Sequence, residues 1–282
     1  MERHIEMPLK WERSRIVLGL LIIYTVFESA AQWLESERGE AGLIVLAIVL
    51  LTCLGVERAI FCQAIGRALR SLGLGRPAAR GWIVAIGVVA ALLLILVALA
   101  RSSAVSLEIT ADALQLMPGL FAQGGVAEET LFRGYLYRHF RMRRSAWHAG
   151  TLAMLPFAAV HVLLFLVLPW HIALIALLAA AALSFPLAHL FEISGNSLWP
   201  PALVHFAIQA VPKVTVVTGV TSSGFAIFWM ILATVVLWLG VVVDQVWRRQ
   251  LEAVERSEAP LARTGGPDDR DAEGGAYVLA KD

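Results

Sequence analysis

Between two long apolar stretches the sequence reads GGVAEETLFRGYLYRHF, Gly124 to Phe140. Adjacent carboxylates and an arginine in hydrocarbon-like surroundings are costly unless they are paired. In a helix Glu129 and Arg133 stand four apart and face each other, so this pair neutralises itself. Glu128 is turned about 100° from its neighbour, toward the side of Phe121, Gly124, Gly125, Phe132 and Tyr135, and is left without a local partner. A lone carboxylate in an apolar cavity can serve as a general base if water reaches it. Gly124 and Gly125, which precede it, let a neighbouring helix or a substrate come close, and both uses stay open.

Two further apolar stretches carry polar side chains. In LPFAAVHVLLF, His161 follows Phe157 by one helical turn, and in GNSLWPPALVHFAIQA, His205 precedes Gln209 by one. Counted along the helices, Glu128 lies about 15 Å from the basic cluster at Arg138, His205 about 12 Å from Ser197 and His161 about 21 Å from Trp147. The three groups can therefore meet in one half of a bilayer. His139 and His148 flank the basic cluster and are expected at the interface; His171 and His189, near helix ends, are bystanders. Asn196 and Ser197 before LWPP suit a helix cap followed by first-turn prolines, with Trp199 at the membrane interface.

The elements that must position these groups follow from composition. Of 282 residues, 59% are hydrophobic and 16% charged, against about 45–50% and 25% in soluble domains. Eight spans are expected, at 15–35, 41–62, 81–100, 113–138, 147–168, 170–191, 198–213 and 223–247, which makes an all-α, polytopic transmembrane helix bundle. The first span lacks a cleavage pattern and reads as retained. The bundle would fill residues 1–249; 250–282, rich in Gly, Pro and charge, reads as a disordered cytoplasmic tail. Cys53 and Cys62 are expected in one helix as small core residues.

Cations cluster before the first span, between Arg58 and Arg80, from Arg138 to Arg144 and at Arg248 and Arg249, whereas the opposite connections hold Arg38, Arg101 and Lys213. That asymmetry places both termini in the cytoplasm of a multi-pass plasma-membrane protein. The segment Arg58–Arg80 suits either an interfacial amphipathic helix or an ordinary loop. A net charge of +1 points to no nucleic-acid partner; the lipid bilayer and a membrane-associated peptide or protein are the partners expected.

The ordered elements Glu-Glu-x-x-x-Arg (Glu128, Glu129, Arg133), Phe-x-x-x-His (Phe157, His161) and His-x-x-x-amide (His205, Gln209) resemble the CAAX protease and bacteriocin-processing family of intramembrane proteases, related to the type II CAAX prenyl endopeptidases. The similarity spans roughly 120–212, and Gln209 departs from the usual Asn or Asp. The resemblance implies an intramembrane endopeptidase with Glu128 as general base, His161 orienting the attacking water, and His205 polarising the scissile carbonyl. Glu129, Arg133, Phe157 and Gln209 would support them. It implies a glutamate-type enzyme without cofactor; the alternative is a zinc enzyme with Glu128, His161 and His205 as ligands. Two other classes stay open. One is a non-catalytic scaffold, immunity or regulatory protein of the same fold; the other is a proton-coupled transporter, which would need broken helices in two repeats.

Overall fold

The computed structural model describes residues 9–34, 38–101 and 106–258. The chain divides into two compact units, Met1–Val241 and Val242–Asp282. In the first, helices α1 (Leu9–Trp33), α2 (Arg38–Ala59), the short α3 (Ile65–Ser71) and α4 (Ala79–Arg101) lead to strand β1 (Ser106–Ile109). One continuous helical rod follows: α5 (Ala113–Leu120), two π-wound stretches, Phe121–Ala127 and Thr130–Tyr137, and α6 (Arg138–Arg141). Then come α7 (Ala146–Val162), α8 (Trp170–Ile193), α9 (Trp199–Val214), β2 (Thr215–Thr218) and α10 (Ser222–Glu258). The part of α10 from Val242 to Glu258 is the described portion of the second unit. Residues 250–258, expected in the tail, are therefore helical, and the rest of that segment lies outside the described residues.

The all-α bundle is as expected. A backbone in lipid must satisfy its hydrogen bonds internally, which leaves an apolar run such as α4 one choice, a helix. Ala85, Val88 and Leu92 of α4 are buried while Ile83, Ile86 and Leu94 face outward, an inward stripe with a lipid-ready back. Among the described residues six helices are long and apolar enough to cross a membrane: Glu12–Trp33, Ala41–Ala59, Ala79–Arg101, Ala146–Leu166, Trp170–Ile193 and Ser222–Arg256. The other two expected spans, 113–138 and 198–213, are helical but do not meet that measure. They hold the polar residues and pack inside the bundle, where protein rather than lipid surrounds them.

Several packing devices fix the rod. Gly42 of α2 lies directly on the backbone of Gly119, and Gly134 on the Leu72 carbonyl, so these crossings have no room for a side chain. The Tyr135 hydroxyl donates to the Ile16 carbonyl at 3.0 Å. At the far end Tyr137 and Arg141 both donate to Glu192, at 2.8 and 2.5 Å, and the bond to Glu192 holds the Arg141 guanidinium above its ordinary pKa. Trp229 of α10 donates to the Ile208 carbonyl at 2.8 Å and Trp238 to the Ala182 carbonyl at 3.1 Å, which ties that helix to α9 and α8. Strands β1 and β2 pair antiparallel, Ser106 opposite Thr218 and Ile109 opposite Thr215, and join the start of the rod to the end of α9.

Three local expectations change, and one open alternative is narrowed. Ser197 does not cap α9: its hydroxyl donates to the Gly75 carbonyl at 3.0 Å, and Asn196 turns the chain with φ of 58°. The prolines do sit in the first turn of α9. Cys53 is buried, but Cys62 lies beyond α2, exposed, with φ of 55°. Within Arg58–Arg80 the helix is only the seven-residue α3, which exposes Ile65 and Leu69 beside Arg67 and Arg70. His139, expected to face the interface, is enclosed by protein: it is buried and paired with Glu57 at 2.8 Å, against the ring of Phe61.

Candidate active site

The rod puts the acidic pair at the junction of its two π-wound stretches. Pro118 has no N–H to continue an α-helical ladder, and beyond it the hydrogen bonds lengthen by one residue. The Glu128 N–H reaches the Gln123 carbonyl and the Arg138 N–H the Arg133 carbonyl, each five residues back. Such winding is rare and concentrates at functional sites. From Gly124 to Phe140 every residue is buried except Glu128 and Arg138. Arg138 lies near the end of the rod, so Glu128 is the mid-rod position left partly open.

The neighbouring carboxylate is sealed. Glu129 is 0% exposed; its Oε1 accepts from Arg133 Nη1 at 2.9 Å and lies 2.7 Å from His205 Nδ1. The Arg133 guanidinium also lies 4.7 Å over the Phe157 ring, and Phe132 meets that ring edge-on at 4.6 Å. The i,i+4 pairing expected from spacing is therefore present, with His205 as a second partner that spacing could not show.

His205 and Gln209 approach from α9. With Nδ1 facing the Glu129 carboxylate, His205 carries its proton there, so Nε2 is an acceptor. The Gln209 Nε2 amide donates to it at 2.8 Å and reaches both Glu128 oxygens at 3.3 Å. His205 Nε2 itself is 3.6 Å from Glu128 Oε2. Lys213 Nζ donates to the Gln209 Oε1 at 3.3 Å, one turn further along α9. One hydrogen-bonded chain thus runs from Lys213 through Gln209 to Glu128, and through His205 to Glu129 and Arg133. The sequence motifs do not include Lys213, although its spacing of four from Gln209 is the same signal that pairs His205 with Gln209.

His161 stands at the end of α7. Its Nδ1 lies 2.8 Å from the Phe157 carbonyl, which fixes Nδ1–H as donor and turns Nε2 outward. Its ring packs on Phe157 at 5.0 Å, and Phe157 also meets His205 at 6.0 Å. Phe157 is therefore the wall between the two histidines. All seven sequence-selected residues gather here, Glu128, Glu129, Arg133, His205 and Gln209 by hydrogen bonds and His161 through Phe157. Gly124 faces the Gln209 carboxamide and Gly125 the Ala202 carbonyl. Among the described residues no three His, Cys, Asp or Glu side chains are grouped to hold a metal ion.

No curated protein matches the chain. Residues 110–211 match the family model described as Type II CAAX prenyl endopeptidase Rce1-like. The matched segment runs from just before the rod into α9 and contains all seven sequence-selected residues, with Lys213 just beyond its end. That segment of the chain is thus similar to the CAAX prenyl endopeptidases, and the apolar helices around it are those of a multi-pass membrane protein.

Proposed function

We propose that this protein is an intramembrane endopeptidase in which Glu128 removes a proton from the water that attacks the scissile peptide bond. The observation that carries this reading is the contrast between two adjacent carboxylates. Glu129 is enclosed and engaged by Arg133 and His205, whereas the Glu128 side chain is 20% exposed and faces amide and imidazole donors and acceptors. A base needs access to water together with fixed neighbours, and only Glu128 has both.

In this mechanism His161, pinned by its Nδ1–H on the Phe157 carbonyl, offers Nε2 to the second hydrogen of the water. Glu128 takes the first proton as the water oxygen bonds to the carbonyl carbon, and the carbonyl oxygen becomes an oxyanion. A protonated Glu128 no longer draws on the Gln209 amide, so that N–H is freed for the oxyanion beside it. The C–N bond then breaks and Glu128 returns its proton to the leaving amine. His205 stays neutral and positions Gln209, while Glu129 and Arg133 hold its tautomer.

The substrate is a membrane-associated peptide or protein, and the cation distribution favours cytoplasmic termini in a plasma membrane. Cleavage of a membrane-peptide library by the protein in proteoliposomes tests the reading: products form equally with and without chelator. Loss of cleavage with chelator would replace it by a metal mechanism, and no cleavage of any peptide would favour a non-catalytic scaffold.

A further inference from the structure

Gln209 is one methylene longer than asparagine, and the geometry shows where that methylene goes. A Cβ built at Gly124 would collide with Gln209 Oε1 and stand 3.0 Å from its Cδ. The carboxamide therefore occupies the space that a side chain at 124 would fill, seated against bare backbone of the first π-wound stretch. From that seat it reaches Glu128 at 3.3 Å and His205 at 2.8 Å on one side and accepts from Lys213 at 3.3 Å on the other.

We infer that Gly124 is a positioning residue matched to Gln209: it is the socket that lets the longer amide sit between the base and the histidine. The inference rests on the protease reading for its effect on rate, but not for its geometry. A methyl group at 124 meets the flexible end of a side chain rather than backbone, so the glutamine swings aside and the fold is spared. What is lost is the placement of its N–H groups, and a shift of about 1 Å in such a group costs on the order of 100-fold in rate. With asparagine at 209 the carboxamide is withdrawn by one methylene and the socket stands unused, so the same methyl group is tolerated. Gly125, which faces the Ala202 carbonyl, has no such dependence.

The test compares wild type, Gly124→Ala, Gln209→Asn and the double variant, all full-length in proteoliposomes. Three quantities are read: kcat and KM, the unfolding midpoint, and the imidazole nitrogen resonances of labelled histidine, with His205 assigned by its loss in His205→Gln. Gly124→Ala should lower kcat on the order of 100-fold with little change in KM and leave the unfolding midpoint near wild type. The double variant should keep kcat within about twofold of Gln209→Asn alone. The His205 Nε2 resonance should move in Gly124→Ala and show no further movement when Gly124→Ala is added to Gln209→Asn. Equal losses from Gly124→Ala in both backgrounds, or none in either, would overturn the matched pair. If wild type cleaves nothing, the protease reading fails, and the resonance of His205 alone decides the inference: no movement in Gly124→Ala overturns it.

Discussion

The buried ion pair offers the sharpest quantitative prediction. In Arg133→Met the packed stem is kept and the charge removed, leaving Glu129 enclosed with His205 as its remaining partner and with its Oε2 already unbonded. Removing one partner of a buried pair costs about 3–5 kcal/mol, because the other charge is stranded. The guanidinium also loses its place over Phe157, worth about 0.5–2 kcal/mol, part of which a thioether on the same ring restores. The net expectation is a destabilisation of about 3 kcal/mol. Glu129→Gln combined with Arg133→Met removes both charges and still offers His205 Nδ1 an acceptor. The double variant should therefore lie within about 2 kcal/mol of wild type. Reversible unfolding in mixed micelles, followed by circular dichroism, measures both. An Arg133→Met protein within about 1 kcal/mol of wild type would refute the reasoning, as would a double variant no more stable than the single one.

Other consequences are equally open to measurement. Gly42→Ala forces a methyl group against the Gly119 backbone and should destabilise by about 1–3 kcal/mol. Gly55→Ala has nothing within 4 Å and should be neutral or stabilising by up to about 1 kcal/mol in the same unfolding assay. Glu57→Ala strands His139 in the core and should cost about 2–4 kcal/mol by the same measure, with kcat unchanged in the folded fraction because neither residue touches the site. His161→Ala should lower kcat about 100-fold or more without loss of stability, since its ring is partly exposed and its bond to Phe157 is local.

Much of the site is legible in the sequence because lipid enforces pairing. Charges that cannot be solvated must find each other, so Glu129 with Arg133, and His205 with Gln209, follow from spacing alone, and the odd carboxylate stands out. The bundle is legible for the same reason, since a run such as α4 has no alternative to a helix. The limits are just as physical. A rule of 3.6 residues per turn cannot foresee π winding, and Pro118 is its sole local sign. Composition treats 113–138 and 198–213 as spans like the others, whereas their polarity is tolerated because other helices enclose them. His139 has the basic neighbours of an interfacial residue, and only the approach of α2 reveals Glu57 beside it. The fit of Gln209 into the space at Gly124 arises where two helices distant in sequence cross, which no spacing encodes.

The most direct test of the central claim is the single-turnover cleavage rate of Glu128→Gln beside wild type, with unfolding measured on the same samples. The substitution keeps shape and hydrogen bonding toward Gln209 and removes only the base. The expected result is a fold unchanged within about 1 kcal/mol and a cleavage rate lower by about 100-fold or more. Cleavage at the wild-type rate by a folded Glu128→Gln protein would contradict the assignment of Glu128 as the base.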